Sequence, residues 1–208
     1  MIYDFKLIKN ADYTPTYWSG GSATELITYP QNSSFAIRNF LWRLGFAKID
    51  IDTSTFSSLP GIKRHLMVTD GSMTLTHKDR YSKKLTSYSQ DFFMGDWITT
   101  TEGRCSVFNL MTRENYDGEL SHITLYSNST YNFTPTNIST SQNQIINICF
   151  YAINGLFNIN VNNISTSVNA RDLFTISIND YNPSISFDLY NNTQENTDII
   201  AAIIYKTK

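Results

Sequence analysis

The segment from Leu41 to Ile49, LWRLGFAKI, is apolar on both faces of the strand it would form. Trp42, Leu44 and Phe46 alternate with Leu41, Gly45, Ala47 and Ile49. Successive side chains of a strand point to opposite faces, and a sheet with one solvated face alternates apolar with polar residues. This strand must therefore be covered twice, with one face lining a barrel and the other packed on a second sheet. Comparable runs of β-branched and aromatic residues, set off by Gly, Pro, Asn, Asp or Ser, recur along the chain. Strands are expected at 35–38, 42–51, 64–69, 72–77, 97–101 and 106–112, and then at 145–152, 156–161, 172–177, 184–189 and 199–206. No helical period of similar length competes, so the chain reads as all-β. The Ser/Thr/Asn-rich stretch from Asn128 to Gln144 reads as a connection between two units.

A chain of 208 residues accommodates one large all-β domain or two small barrels. With 16 Lys and Arg against 18 Asp and Glu, it lacks the basic excess that neutralising phosphates requires, so nucleic acid is not an expected partner. No basic segment followed by an apolar run opens the chain, and no apolar run nears the ~20 residues that span a bilayer. The expected location is cytoplasmic, with no membrane partner. Cys105 and Cys149 are too few for a disulfide framework and fit no metal spacing, which leaves two partly buried thiols. Without a secretory signal the six Asn-x-Ser/Thr sites are compositional.

Five short motifs fall in order along the first half. They are WSGGSATE from Trp18 to Glu25, Trp42-Arg43, FSSLPGIKRHLMVTDG from Phe56 to Gly71, FMGD from Phe93 to Asp96, and FNLM from Phe108 to Met111. This set resembles the HutD/Ves family of bacterial proteins over residues 16–113. The resemblance implies a double-barrel cupin, two fused jelly-roll β-barrels, and a ligand-binding role in the control of histidine utilisation. It does not imply a known reaction. One departure is Val107, where the family usually has Asp. A weak internal repeat agrees with two units: a turn glycine, a strand, an acidic turn and a strand occur around Gly71 and Gly95-Asp96, and again from Gly155 to Arg171-Asp172-Leu173-Phe174. The expected boundaries are 1–120 for a ligand-binding barrel and 121–208 for a degenerate barrel kept for packing.

Metal-binding cupins place three His and a Glu at fixed distances from turn glycines. With Gly71 as the first such turn, Arg64 falls where the Glu would be, and the first two His fall among Ser57–Pro60. With Gly95 opening the second motif, Ser106 falls at the third His. The frame fits and the ligands are missing, so neither metal nor other cofactor is expected, since transition-metal sites need imidazole, carboxylate or thiolate donors.

Arg64 is the residue this frame singles out. An inward guanidinium must be paired or hydrogen-bonded. It either forms an internal salt bridge, for instance with Glu25, or reaches solvent, or binds the carboxylate of a ligand, which its fork suits. Arg43 shares a strand face with the small residues Gly45 and Ala47, as a cation in a lumen or as one that snorkels to the rim. Thr24 and Glu25 join the candidate set from the first motif, and Asn109 from the last. Asn109 has the wrong strand parity if Ser106 faces inward, and only a bulge would turn it in. His65 faces away from Arg64, and His77 and His122 lie near turns, so no catalytic group is assigned. The expected partner is a small carboxylate metabolite, with a homodimer left open. The competing classes are a metal-independent isomerase or lyase using Arg and Glu in one pocket, and a stress-associated protein with a vestigial pocket.

Overall fold

In the computed structural model, which describes residues 3–135, 143–179 and 185–207, the chain forms two β units. One comprises residues 13–117 and the other residues 1–12 with 118–208. The first strand, β1 (Tyr3–Ile8), is followed by β2 (Thr16–Trp18), β3 (Gly21–Tyr29), β4 (Trp42–Ile49), β5 (Thr53–Thr55) and β6 (Ile62–His77). Next come β7 (Tyr81–Thr86), β8 (Gln90–Met94), β9 (Thr99–Glu102), β10 (Cys105–Arg113), β11 (Tyr116–Leu125) and β12 (Ser129–Phe133). The chain continues with β13 (Asn143–Ala152), β14 (Leu156–Val161), β15 (Ile164–Asn169), β16 (Leu173–Ile178), β17 (Phe187–Asn191) and β18 (Thr197–Thr207). Among the described residues no helix is long and apolar enough to cross a membrane.

The 13–117 unit is built on one curled sheet in the order β2-β3-β4-β10-β6-β9-β5, with β7 and β8 also paired to β6. The long strand β6 organises it. Its first half, from Ile62 to Gly71, lies beside β10, and Lys63–Met67 also pairs with β8. Its second half pairs with β7 and β9. The two halves were expected as separate strands, 64–69 and 72–77; they are one strand turned at Gly71, whose φ is +77°. A Cβ there would lie 2.6 Å from the Arg104 carbonyl oxygen. Only glycine lets the backbone turn this closely against its neighbour.

One expected strand is absent. Residues 35–38 form a turn in which the Arg38 amide donates to the Ser34 carbonyl (3.0 Å), and Asn39 Oδ1 accepts from the Ser34 amide (3.0 Å). The alternating apolar Phe35 and Ile37 suggested a strand, but local side-chain bonds from Ser and Asn compete with extended pairing. Ile37 is left 70% exposed.

In the other unit, one sheet runs β1-β16-β13-β18-β11 and a second runs β12-β17-β14-β15. Phe133, Phe150, Phe157, Phe174 and Phe187 are buried in its core with Ile148, Ile159 and Leu189. The boundary expected at 120/121 needs correction at the N-terminus. Strand β1 pairs antiparallel with β16, from Tyr3 opposite Ile178 to Ile8 opposite Leu173, so residues 1–12 belong with the C-terminal unit. Of the expected connection from Asn128 to Gln144, residues 136–142 lie outside the described residues, and the part before them is not all connection, since Ser129–Phe133 forms β12.

Candidate functional site

The site lies within the 13–117 unit, on the face of the sheet that β3, β4, β10 and β6 share. Register explains which residues meet. Glu25 lies opposite Gly45, and Gly45 opposite Asn109. One row along, Arg43 lies opposite Met111, and Met111 opposite Arg64. The polar groups therefore sit on adjacent rows, close enough for the diagonal contacts that long side chains make across strands. A cavity of about 500 Å³ opens over these rows. Ala23, Ala47, Ile49 and Val107 also line it, and Thr16, Trp18, Ser34–Ala36 and Ser54–Ser57 close over it.

Asn109 reaches this cavity by plain alternation. Strand β10 pairs with β4 without interruption from Cys105 to Thr112, so Val107, Asn109 and Met111 share the cavity face, and Ser106, expected to face inward, projects to the other side. The slip in the ladder between β10 and β6 places its extra residue on β6, where Ser106 lies opposite Asp70 and Val107 opposite Val68, and leaves the alternation of β10 unchanged. Thr24 is a correction in the other direction. Its neighbours Ala23 and Glu25 line the cavity and it does not, because adjacent residues of a strand project to opposite faces.

The two arginines occupy different electrostatic situations. Arg43 donates from Nε to Glu25 Oε2 at 3.0 Å, and its guanidinium lies 4.8 Å from the centre of the Phe35 ring. The same Glu25 oxygen accepts from the Phe35 amide at 2.9 Å, tying the 34–36 segment to the sheet. Gly45 makes room for this arrangement: a Cβ there would fall 2.5 Å from Arg43 Nη1. Burial lowers the Arg43 pKa, and the bond and charge of Glu25 oppose that shift.

Arg64 is 7% exposed. Its guanidinium lies 4.5 Å from the centre of the Phe56 ring and 5.1 Å from that of Phe93, two rings that pack on each other at 6.1 Å, and makes a long 3.4 Å contact from Nη2 to Asn109 Oδ1. Its Nε has no hydrogen-bond partner. Burial pushes its pKa down to about 9, and the nearby Arg43 charge adds to the shift. The internal salt bridge with Glu25 is not made, because Glu25 is engaged by Arg43. Phe56 and Phe93 belong to the sequence motifs, but nothing in the local pattern indicated that both would contact one arginine.

The histidines sit elsewhere. His65 faces away from the cavity toward Asp117 (3.3 Å) and packs on Phe92. His77 is 1% exposed, held by Thr99 Oγ1 at 2.8 Å and Asp91 Oδ2 at 3.0 Å. Asp91 is also bonded by Tyr81 and Lys83, so this cluster joins β6, β7, β8 and β9. The sequence placed His77 near a turn and gave no sign of its burial. In the C-terminal unit, His122 contacts Asp198 at 2.8 Å.

The HutD family profile matches residues 10–194. The chain belongs to the HutD family. Among solved structures, a conserved protein of unknown function from Pseudomonas aeruginosa PAO1 is similar, with a TM-score of 0.78 at 18% identity over 97% of this chain and 98% of that one. HutD from Pseudomonas fluorescens SBW25, in a formate condition, gives 0.70 at 18% identity, covering 96% and 98%. The formate complex of Lactobacillus farciminis oxalate decarboxylase gives 0.66 at 7% identity, covering 97% and 86%. None of the curated proteins matches. At these identities the structures speak for the fold alone, and it is the double-barrel cupin. The oxalate decarboxylase of Bacillus subtilis, similar to this chain with a TM-score of 0.63 at 7% identity, has Mn(II) centres. The residues here do not fit such an ion: among the described residues the only acidic side chain lining the cavity is Glu25, committed to Arg43, beside two guanidinium groups. Among the described residues no three His, Cys, Asp or Glu gather as a metal-holding group.

Proposed function

We propose that this HutD-family protein binds a small carboxylate metabolite in the cavity of its 13–117 unit and acts in the cytoplasm, in the control of histidine utilisation. The observation that carries the reading is Arg64, a buried guanidinium with an unsatisfied Nε and no carboxylate beside it, facing a cavity large enough for a metabolite. A buried charge without a counter-charge is costly, and an incoming carboxylate supplies the missing partner. Asn109 supplies a neutral polar group beside it, and Arg43 a second, already neutralised cation. Formate, the simplest carboxylate, is the ligand named for the oxalate decarboxylase neighbour.

The test is calorimetric titration of formate, urocanate, formylglutamate and glutamate into the protein and into Arg64→Met. Methionine keeps most of the volume and deletes the charge. Hydrogen bonds to charged groups contribute ~1.5–3 kcal/mol each, so loss of the guanidinium weakens binding by at least about tenfold. Failure of every carboxylate at millimolar concentration, or equal binding to Arg64→Met, overturns the site. For the regulatory role, deleting the gene should alter growth on histidine as nitrogen source; unchanged growth and unchanged induction of histidine breakdown would remove it.

A further inference from the structure

Among the described residues three ionisable side chains line the cavity: Glu25, Arg43 and Arg64. Lys48 and Asp50, at the end of β4, pair with each other at 2.8 Å and do not line it. Glu25 neutralises Arg43 through a 3.0 Å bond, so the lining as built carries one uncompensated positive charge, at Arg64. The remaining surface is largely apolar, with Ala23, Phe46, Ala47, Leu59 and Met111 among its members.

We infer that the site selects ligands with a single carboxylate on an uncharged, largely apolar body, and that Glu25 is the residue that enforces this choice. The inference rests on the carboxylate reading above and adds the charge and character of the ligand. One carboxylate on Arg64 brings the cavity to neutrality. A second would have to displace Glu25 from Arg43 or lie unpaired against apolar walls, and an unpaired buried charge is strongly disfavoured. Glu25 thus acts as a resident carboxylate occupying the place of a ligand's second one. Selection of this kind works by penalising the wrong ligand as well as by rewarding the right one. Glu25 also holds the Phe35 amide at 2.9 Å, so a ligand that displaced it would release the 34–36 segment as well.

Hexanoate and adipate separate these cases, because they share a six-carbon chain and differ in one terminal carboxylate. Titration into the protein should show hexanoate bound more tightly by about tenfold or more, the scale of one desolvated charge. In Glu25→Gln the amide oxygen can still accept from Arg43 and Phe35, while the resident negative charge is gone. Adipate should then gain at least about tenfold relative to hexanoate, which now leaves one arginine uncompensated. Equal binding of the two acids to the unmodified protein, with both lost in Arg64→Met, overturns the charge selection and leaves the carboxylate site standing. A preference for hexanoate that persists unchanged in a folded Glu25→Gln removes Glu25 from the explanation and overturns the inference. Binding of neither acid overturns the inference, while the carboxylate site itself stands or falls by the titrations of formate, urocanate, formylglutamate and glutamate. The comparison in the unmodified protein needs no variant, so a misfolded Glu25→Gln does not shelter the inference.

Discussion

A guanidinium enclosed by Phe56, Phe93 and Asn109 is a poor arrangement for stability by itself. The aromatic faces and one long hydrogen bond replace only part of the water it loses. The ligand-free protein should therefore tolerate Arg64→Met well and melt at least as high as the parent, while losing the upward shift that a carboxylate gives the parent. A lower melting temperature without ligand would mean that Arg64 has a stabilising partner after all. The pH dependence follows from the lowered pKa. Between about 9 and the ordinary arginine value above it, the unfolded chain holds a proton that the folded one lacks, so this residue's contribution to stability rises with pH across that window. Below about 9 the cost of the buried charge is present in full, and a bound anion relieves it. Carboxylate affinity should accordingly hold from neutral pH to about 9 and fall above it. Titrations at several pH values check this, and an affinity unchanged to pH 10.5 would exclude Arg64 as the anchoring charge.

At the scale of elements, turns and strand pairing decide where side chains go. The strand character of β4 and the shared face of Arg43, Gly45 and Ala47 were legible, because period-two alternation is a local property. The inward position of Asn109 was not: alternation along β10 is regular, but which of its two faces lines the cavity is set by pairing with β4, some sixty residues upstream, and it is the face opposite to Ser106. Continuity of β6 through Gly71 was hidden for the same reason, since a glycine inside an apolar run reads equally as a turn or as a bend. Gly61 and Gly71 allow the bend to be tested. Both have positive φ, +75° and +77°, but a Cβ at Gly61 meets nothing within 4 Å, while at Gly71 it meets backbone of Arg104 and Cys105. Gly61→Ala should cost only the left-handed backbone term, about 1–2 kcal/mol. Gly71→Ala should cost that plus displacement of two strands, about 3 kcal/mol or more by denaturant unfolding. Equal losses at the two sites would show that the close approach at Gly71 relaxes freely.

On the scale of the whole chain, the least local feature is the placement of the first twelve residues. Tyr3–Ile8 has a strand pattern but carries no sign of its partner, which lies about 170 residues away in β16. A division drawn from composition therefore assigned it to the nearer unit. The ladder is reinforced by side chains: Phe5 stacks on the fully buried Phe174 at 5.6 Å, Tyr3 meets Phe187 edge-on at 5.7 Å, and the Asn10 amide donates to Asp172 at 2.7 Å. Removing residues 1–12 would strip the outer edge of β16, uncover Phe174 and leave a row of unpaired backbone groups. Hydrogen exchange under native conditions reads this directly, because local opening reports the stability of each element separately. In the truncated protein the amides of Leu173–Ile178 should lose protection first and most, with Asn147–Tyr151 of the adjoining β13 next. The amides of Cys105–Arg113, which carry Asn109 in the other unit, should change least, and carboxylate binding should survive. Uniform acceleration across β10 and β16 would show that the N-terminal strand supports the whole chain rather than one unit. Unchanged exchange in β16 would show that the pairing of β1 contributes nothing to its stability.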